Sequence, residues 1–247
     1  MNETIYGLHA VSALLKNQHR VVSALYINEE RMDERLLVLR ETAKNNNISI
    51  ETLSSQAMKT RFGTMNHQGI VAIAEPLPAF SEHDLDRLLK EATLILILDG
   101  ITDPHNLGAC LRSADAAGVD FIILPKDNSA NITPAVSKVA CGAAESVPLV
   151  RVTNLARAMD QIKEAGIWIY GAAGEADTVI YDIDCTSRMA LALGAEGKGL
   201  RRLTREYCDG LFSLPMSGLV SSLNVSVATG ICLYEVKRQI LEKSRKK

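Results

Sequence analysis

The 247-residue sequence predicts an α/β protein built on a mostly parallel sheet and preceded by a smaller α/β domain. Three observations carry this expectation. From Leu94 onward, apolar runs of strand length alternate with stretches of helical periodicity, the order that gives parallel strands joined by crossover helices. Polar residues gather just after those strands, where ligands sit in an open parallel sheet. Pro76 and Pro78 break an extended run and mark a joint in the chain.

The elements follow in order. Residues 1–75 alternate helical and extended patterns: "AVSALL", "VVSALYI", "ERLLVLRETAK", "ISIETL", "QAMKTRF" and "GIVAIAE". The proline-marked, acidic stretch 76–93 is expected to be a linker, and 94–247 a second domain. There the strand "LILILD" leads to a helix from Asn106, "FIIL" to a helix opened by Thr133 and Pro134, and "VPLV" to a helix from Asn154. "IWIY", "MALALG" and "LFSL" supply further strands before a closing helix from about Ser222. No internal repeat or low-complexity segment is evident.

Composition narrows the class. An apolar fraction of 47% is that of a chain that buries a large core, and 23% charged residues suits a globular protein. No apolar run approaches the roughly 18 residues of a membrane helix, and Met-Asn-Glu-Thr at the start lacks the basic-then-apolar order of a signal peptide. A cytoplasmic protein without membrane association is expected. Five scattered cysteines without a C-x-x-C suggest reduced, mostly buried thiols. The five histidines form no H-E-x-x-H or H-x-H cluster, so no metal is expected. A net charge of −2 requires any nucleic-acid surface to be local, and the candidates are "KGLRRLTR" (Lys198–Arg205) and the tail "EKSRKK" (Glu242–Lys247).

Four post-strand segments concentrate the polar residues: 99–108, 171–177, 194–200 and 215–224. In the helix after the first, Leu107, Cys110, Leu111 and Ala114 form a stripe that packs on the sheet. Asn106 is expected at its N-cap and Arg112 opposite the stripe. Gly108, costly inside a helix, suggests close approach by another group. "GAEGKG" lacks the spacing and Lys-Ser/Thr of a Walker A loop, no G-x-G-x-x-G follows a strand, and no G-x-S-x-G appears, which disfavours ATPase, dinucleotide and acyl-transfer chemistry. Glu196 sits between glycines of a turn. Ser222 and Asn224 stand at the mouth of an apolar helix, where a cap explains Ser222 better than Asn224.

Together "DPHNLGACLRSADAAG", "LALGAEGKGL" and "LPMSGLVSSLNVSVATGICLYE" resemble the three motifs of the SpoU (TrmH, SPOUT) RNA ribose methyltransferases, from Leu94 to about Gln239. "IYGLHAVSALL" and "NHQGIVA" are similar to the substrate-binding domain of bacterial 23S ribosomal RNA guanosine 2′-O-methyltransferases. The resemblance implies a C-terminal trefoil knot, an exception to the rule against knotted chains. It also implies an N-terminal RNA-binding domain like ribosomal protein L30e, a homodimer, and S-adenosylmethionine (SAM) as cofactor. The implied reaction is 2′-O-methylation of a guanosine ribose in 23S ribosomal RNA, in the peptidyl-transferase region. Motif residues carry over to Asn106, Arg112, Glu196, Ser222 and Asn224 as the catalytic set, with Glu196 and Asn106 orienting Arg112. Cofactor contacts carry over to Gly194, Leu214 and Leu223, where leucine at 214 replaces the usual isoleucine. The rival readings are a tRNA ribose methyltransferase and a non-catalytic RNA-binding assembly factor.

Overall fold

The structure, a computed structural model, describes all residues except Met1, Gln18, His19, Met32, Thr64, Met65, Lys246 and Lys247. One expected histidine and the last two residues of the basic tail thus lie outside the described residues. The chain forms two units, Met1–Pro78 with Cys141–Ser146, and Ala79–Ala140 with Val147–Lys247.

The first unit runs β1 (Glu3–Tyr6), α1 (Leu8–Asn17), β2 (Val22–Asn28), α2 (Glu34–Asn45), β3 (Ile50–Leu53), α3 (Ser55–Phe62) and β4 (Ile70–Ala74). Its sheet has the order β1-β4-β2-β3, with β4 antiparallel to β1 and β2, and β3 parallel to β2. Val11, Leu14 and Leu15 of α1 and Leu36 of α2 bury one face against Leu25 and Ile70. Asp33 and Ser54 cap α2 and α3 by accepting from the amides of Leu36 and Ala57. Residues 141–146 belong here because Arg20, almost wholly buried, bonds the Glu145 carboxylate through Nε (3.0 Å) and Nη2 (2.7 Å). An unpaired buried guanidinium would be far costlier than the pair.

In the second unit β5 (Phe80–Ser81) and α4 (Leu85–Leu88) precede β6 (Leu94–Asp99), α5 (Pro104–Ala117), β7 (Phe121–Pro125), α6 (Pro134–Val139) and β8 (Leu149–Val152). Then come α7 (Leu155–Glu164), β9 (Trp168–Ala172), β10 (Met189–Gly194), α8 (Arg202–Tyr207), β11 (Gly210–Phe212) and α9 (Val225–Arg245). The seven strands lie in the order β11-β9-β10-β6-β7-β8-β5, and each neighbouring pair is parallel. The expected linker 76–93 is shorter than read. Leu85, Leu89 and Ala92 are buried with Ile95, Phe121 and Val150, and Ser81 and Asp84 form a capping box, so only about residues 75–79 are an irregular connection. Of the acidic residues of that stretch, Asp84 closes the capping box and Glu82 accepts from the Thr153 amide, so neither solvates a tether.

Strand β6 has β7 on one side and β10 on the other, so the chain reverses its direction of winding there. Ligands in open α/β sheets bind beyond the strand C-termini at such a switch point. Asp99 and Gly194, the last residues of β6 and β10, pair across it.

Candidate active site

Asp99 ends the fully apolar strand β6 with its side chain wholly buried. Its carboxylate accepts from the Arg201 backbone amide (2.9 Å) and from Arg201 Nε (2.6 Å), clamping the 195–201 turn over the strand end. Within that turn the Gly199 amide donates to the Ala195 carbonyl at 2.8 Å. "KGLRRLTR" is therefore not an open basic patch: Arg201 pairs with Asp99, Arg202 with Glu206 and Arg205 with Glu175. Removing Arg201 leaves a buried carboxylate without its counter-charge. Arg201→Ala is expected to lower the unfolding free energy by about 3 kcal/mol, and Arg202→Ala, at an exposed i,i+4 pair, by less than about 0.5 kcal/mol. Urea denaturation of both variants checks this, and equal effects would contradict it.

Helix α5 starts two residues earlier than expected, and its N-cap is Asp103, not Asn106. Asp103 accepts from the amides of His105 (3.1 Å) and Asn106 (3.3 Å), with Pro104 pre-set in the first turn. The cap leaves the Asn106 side chain free for other work. Leu107, Cys110, Leu111 and Ala114 are completely buried, as the stripe requires. Arg112 is exposed on the same helix and, among the described residues, makes no hydrogen bond or ion pair. Gly108 answers to helix packing and not to a ligand: a Cβ there would fall 2.7 Å from Val139 Cβ and 2.9 Å from the Val136 carbonyl of α6.

Helix α9 starts at Val225, and the cap is Asn224, which reverses the expectation for the Ser222–Asn224 pair. Asn224 Oδ1 accepts from the Ser226 amide (2.9 Å) and hydroxyl (2.6 Å). Its Nδ2 donates to Asn106 Oδ1 (2.9 Å) and Glu196 Oε2 (3.2 Å). Three motifs, far apart in sequence, thus meet on one amide. Asn106 and Glu196 hold Asn224 and not Arg112. Ser222 lies exposed in the irregular run before the helix.

Beside this group a cavity of about 400 Å³ opens, lined by Gly194, Leu214, Leu223, Glu196 and Ser222 among others. Asn106, Arg112 and Asn224 do not line it. Its floor exists because of Gly194: a Cβ there would lie 2.0 Å from the Gly199 carbonyl carbon, which forces glycine at this close backbone approach. The volume lies within the roughly 300–1,000 Å³ of small-molecule sites, and apolar walls with polar groups from several loops fit a nucleoside with a charged tail. The residues present therefore suit SAM.

Thiol chemistry does not compete for the site. Burial pushes the thiols of Cys110 and Cys185 up to about 11 and those of Cys208 and Cys232 up to about 12. All four stay protonated at neutral pH and are poor nucleophiles. A thiol reagent at pH 8 should leave these four unmodified until the protein unfolds, and rapid native labelling of any of them, read by mass spectrometry, would contradict this. Among the described residues no three His, Cys, Asp or Glu side chains group as a metal site, and no helix is long and apolar enough to cross a membrane.

Sequence reasoning missed the Asp99–Arg201 clamp and Glu175, which lines the cavity and pairs with Arg205. The one available signal was the charge ending an otherwise apolar strand. Residues 93–234 match the SpoU rRNA Methylase family, and residues 4–80 match the family of RNA 2′-O ribose methyltransferase substrate-binding domains. The chain is 57% identical over 239 residues to the 23S rRNA (guanosine-2′-O-)-methyltransferase RlmB of Shewanella oneidensis, covering 96% of this chain and 97% of that protein. It is 54% identical over 241 residues to the RlmB of Escherichia coli, covering 97% and 99%. The crystal structure of the SpoU methyltransferase AviRb from Streptomyces viridochromogenes, in complex with the cofactor AdoMet, superposes with a TM-score of 0.81 at 27% identity, over 98% of this chain and 91% of that one. With its three motifs assembled on Asn224 beside a cavity suited to SAM, the chain belongs to the SpoU rRNA methylase family.

Proposed function

We propose that this protein uses SAM to methylate the ribose 2′-oxygen of a guanosine in 23S ribosomal RNA. The observation that carries the reading is the junction of Asn106, Glu196 and Asn224 at the rim of the cavity formed by Gly194, Leu214 and Leu223. The activity of its relatives, 23S rRNA (guanosine-2′-O-)-methyltransferases, supports the substrate. When bound, SAM supplies an electrophilic methyl group on a sulfonium.

The chain's own residues do the rest. Gly194, Leu214 and Leu223 seat the cofactor, largely through main chain. Arg112 stabilises negative charge growing on the 2′-oxygen and anchors the adjacent phosphate. A guanidinium stays protonated in proteins, so its part is electrostatic and not that of a base. Ser222, exposed at the mouth of α9, holds the ribose or backbone, and Asn224, its amide filled by Asn106, Glu196 and Ser226, fixes the helix mouth beside it, so that positioning supplies much of the rate. The 2′-oxygen–carbon bond forms as the carbon–sulfur bond breaks, and the hydroxyl proton leaves to solvent.

The same reading includes a trefoil knot in the C-terminal segment, supported by the match of residues 93–234 to the SpoU family. It includes a cytoplasmic homodimer that works without a metal. Val227, Ile231 and Tyr234 leave an apolar face of α9 exposed at i, i+4, i+7, and a second copy would cover it. Calorimetric SAM binding together with transfer of labelled methyl to 23S RNA tests the function. Label entering only tRNA, or no SAM binding, overturns it.

A further inference from the structure

A second site is written into the first unit. Between β2, β3 and the exposed flank of α2 lies a cleft of about 260 Å³, lined by Asn28, Arg31, Leu36, Leu37, Arg40 and Thr52. Two of these are guanidinium groups, and the chemistry of the cleft turns on them. Arg40 Nε is buried and, among the described residues, has no hydrogen-bond partner. A buried N–H without an acceptor is costly and rare enough to require an explanation. Arg31 is held by its stem: a Cβ placed on Gly69 would lie 3.0 Å from Arg31 Cδ and 3.3 Å from Leu36 Cδ1, so the methylenes pack on that backbone. Its Nε reaches Asp33 at 3.3 Å, an exposed contact that solvent screens.

The nearby acid and amide are spent elsewhere and do not answer these cations. Glu30 accepts from the Ser55 amide (3.0 Å) and hydroxyl (2.6 Å). Asn28 donates to Ser55 Oγ (2.9 Å) and accepts from the Glu30 amide (2.9 Å). These bonds commit Glu30 and Asn28 away from the two guanidinium groups, and Glu29 is the one acidic residue among the described lining of the cleft. Two planar donors lining one cleft, one with an N–H that has no partner among the described residues, match a tetrahedral anion with several acceptor oxygens.

We propose that this cleft is a phosphate-binding site that grips the RNA backbone, with Arg40 Nε as the buried donor and Arg31 as the second fork. It rests on the proposed RNA substrate, and it identifies the part of the first unit that fixes the strand's register through phosphate, without reading bases. Free inorganic phosphate shares the chemistry, so the experiment separates the two sources.

The full-length protein, labelled with ¹⁵N in arginine, is titrated with a 23S ribosomal RNA fragment and separately with inorganic phosphate, and the same RNA titration is run on Arg40→Gln over a range of salt. The Arg40 Nε–H resonance is expected to move with RNA. Arg40→Gln should weaken RNA binding roughly 10–100-fold, the worth of one charge-assisted contact. It should also reduce the slope of log K against log salt by about 0.7–0.9. SAM affinity and the thermal midpoint should not change, because Arg40 makes no hydrogen bond or ion pair among the described residues. An Arg40 resonance that answers to inorganic phosphate but not to RNA overturns the proposal, as does wild-type RNA affinity and slope in Arg40→Gln. Should the wild-type protein bind RNA through Arg40 yet transfer no methyl group, the cleft stands and the proposed reaction falls.

Discussion

Arg112→Ala is expected to bind SAM as the wild type does and to transfer methyl roughly 100–1,000-fold more slowly, the usual cost of deleting one donor to charge that develops in the transition state. The folded state should hardly notice. Arg112 is exposed, faces away from the buried stripe of α5, and makes no hydrogen bond or ion pair among the described residues, so truncation should cost within about 0.5 kcal/mol. A loss of rate therefore reports on chemistry. Arg112→Lys keeps the charge but not the planar fork that spans a phosphate and the 2′-oxygen, and it should be nearly as slow. Single-turnover methyl transfer at saturating SAM reads both variants. Near wild-type transfer by Arg112→Lys would mean that a point charge is sufficient and that the fork geometry plays no part.

Gly194→Ala should abolish tight SAM binding. Its Cβ would stand 2.0 Å from the Gly199 carbonyl carbon, 2.1 Å from the Gly199 oxygen and 2.2 Å from the Leu200 nitrogen, all main-chain atoms that no rotamer change removes. The 195–201 turn cannot simply retreat, because Asp99 fastens its far end through both the backbone and the side chain of Arg201. Relief must come from displacing the turn, at about 1–3 kcal/mol or more of packing strain, and the turn is itself a wall of the cavity. A fall in SAM affinity of roughly 10–100-fold or greater follows, with a lowered melting temperature. Calorimetry with SAM measures it, and affinity within about twofold of wild type, on the same scale, would show that the Gly194 apposition does not shape the cofactor site.

Much of this was legible in the sequence because it rests on local rules. The central strands were visible as unbroken apolar runs, and Thr133 and Asn154 as helix starts, where the structure finds both side chains capping. What escaped depends on distance. Strand β1 is short and pairs only with β4, some 65 to 71 residues away by register, so periodicity could not raise it. Arg20 and Glu145 tie residues 141–146 into the first unit across 125 residues. The same limit explains the two misread caps. Asp103 and Asn106 are both good capping residues, as are Ser222 and Asn224, and the choice falls to which side chain the rest of the fold needs. Asn106 is needed by Asn224, so Asp103 caps α5. Asn224 can cap α9 with its oxygen while its nitrogen serves Asn106 and Glu196, a division of labour that serine does not offer. Arg201, read as part of a basic face, proved to be the partner of a buried aspartate that only the folded strand end brings near.

The central claim is that the assembled motifs deliver a methyl group to one ribose oxygen of 23S ribosomal RNA. Unmodified 23S RNA, incubated with the full-length protein and SAM, is digested to nucleosides and resolved by mass spectrometry, with the methylated position mapped by primer extension. The expected product is 2′-O-methylguanosine at a single site, absent when Arg112→Ala replaces the wild type. A methyl group found on a base, on several unrelated riboses, or in equal yield with Arg112→Ala would contradict it.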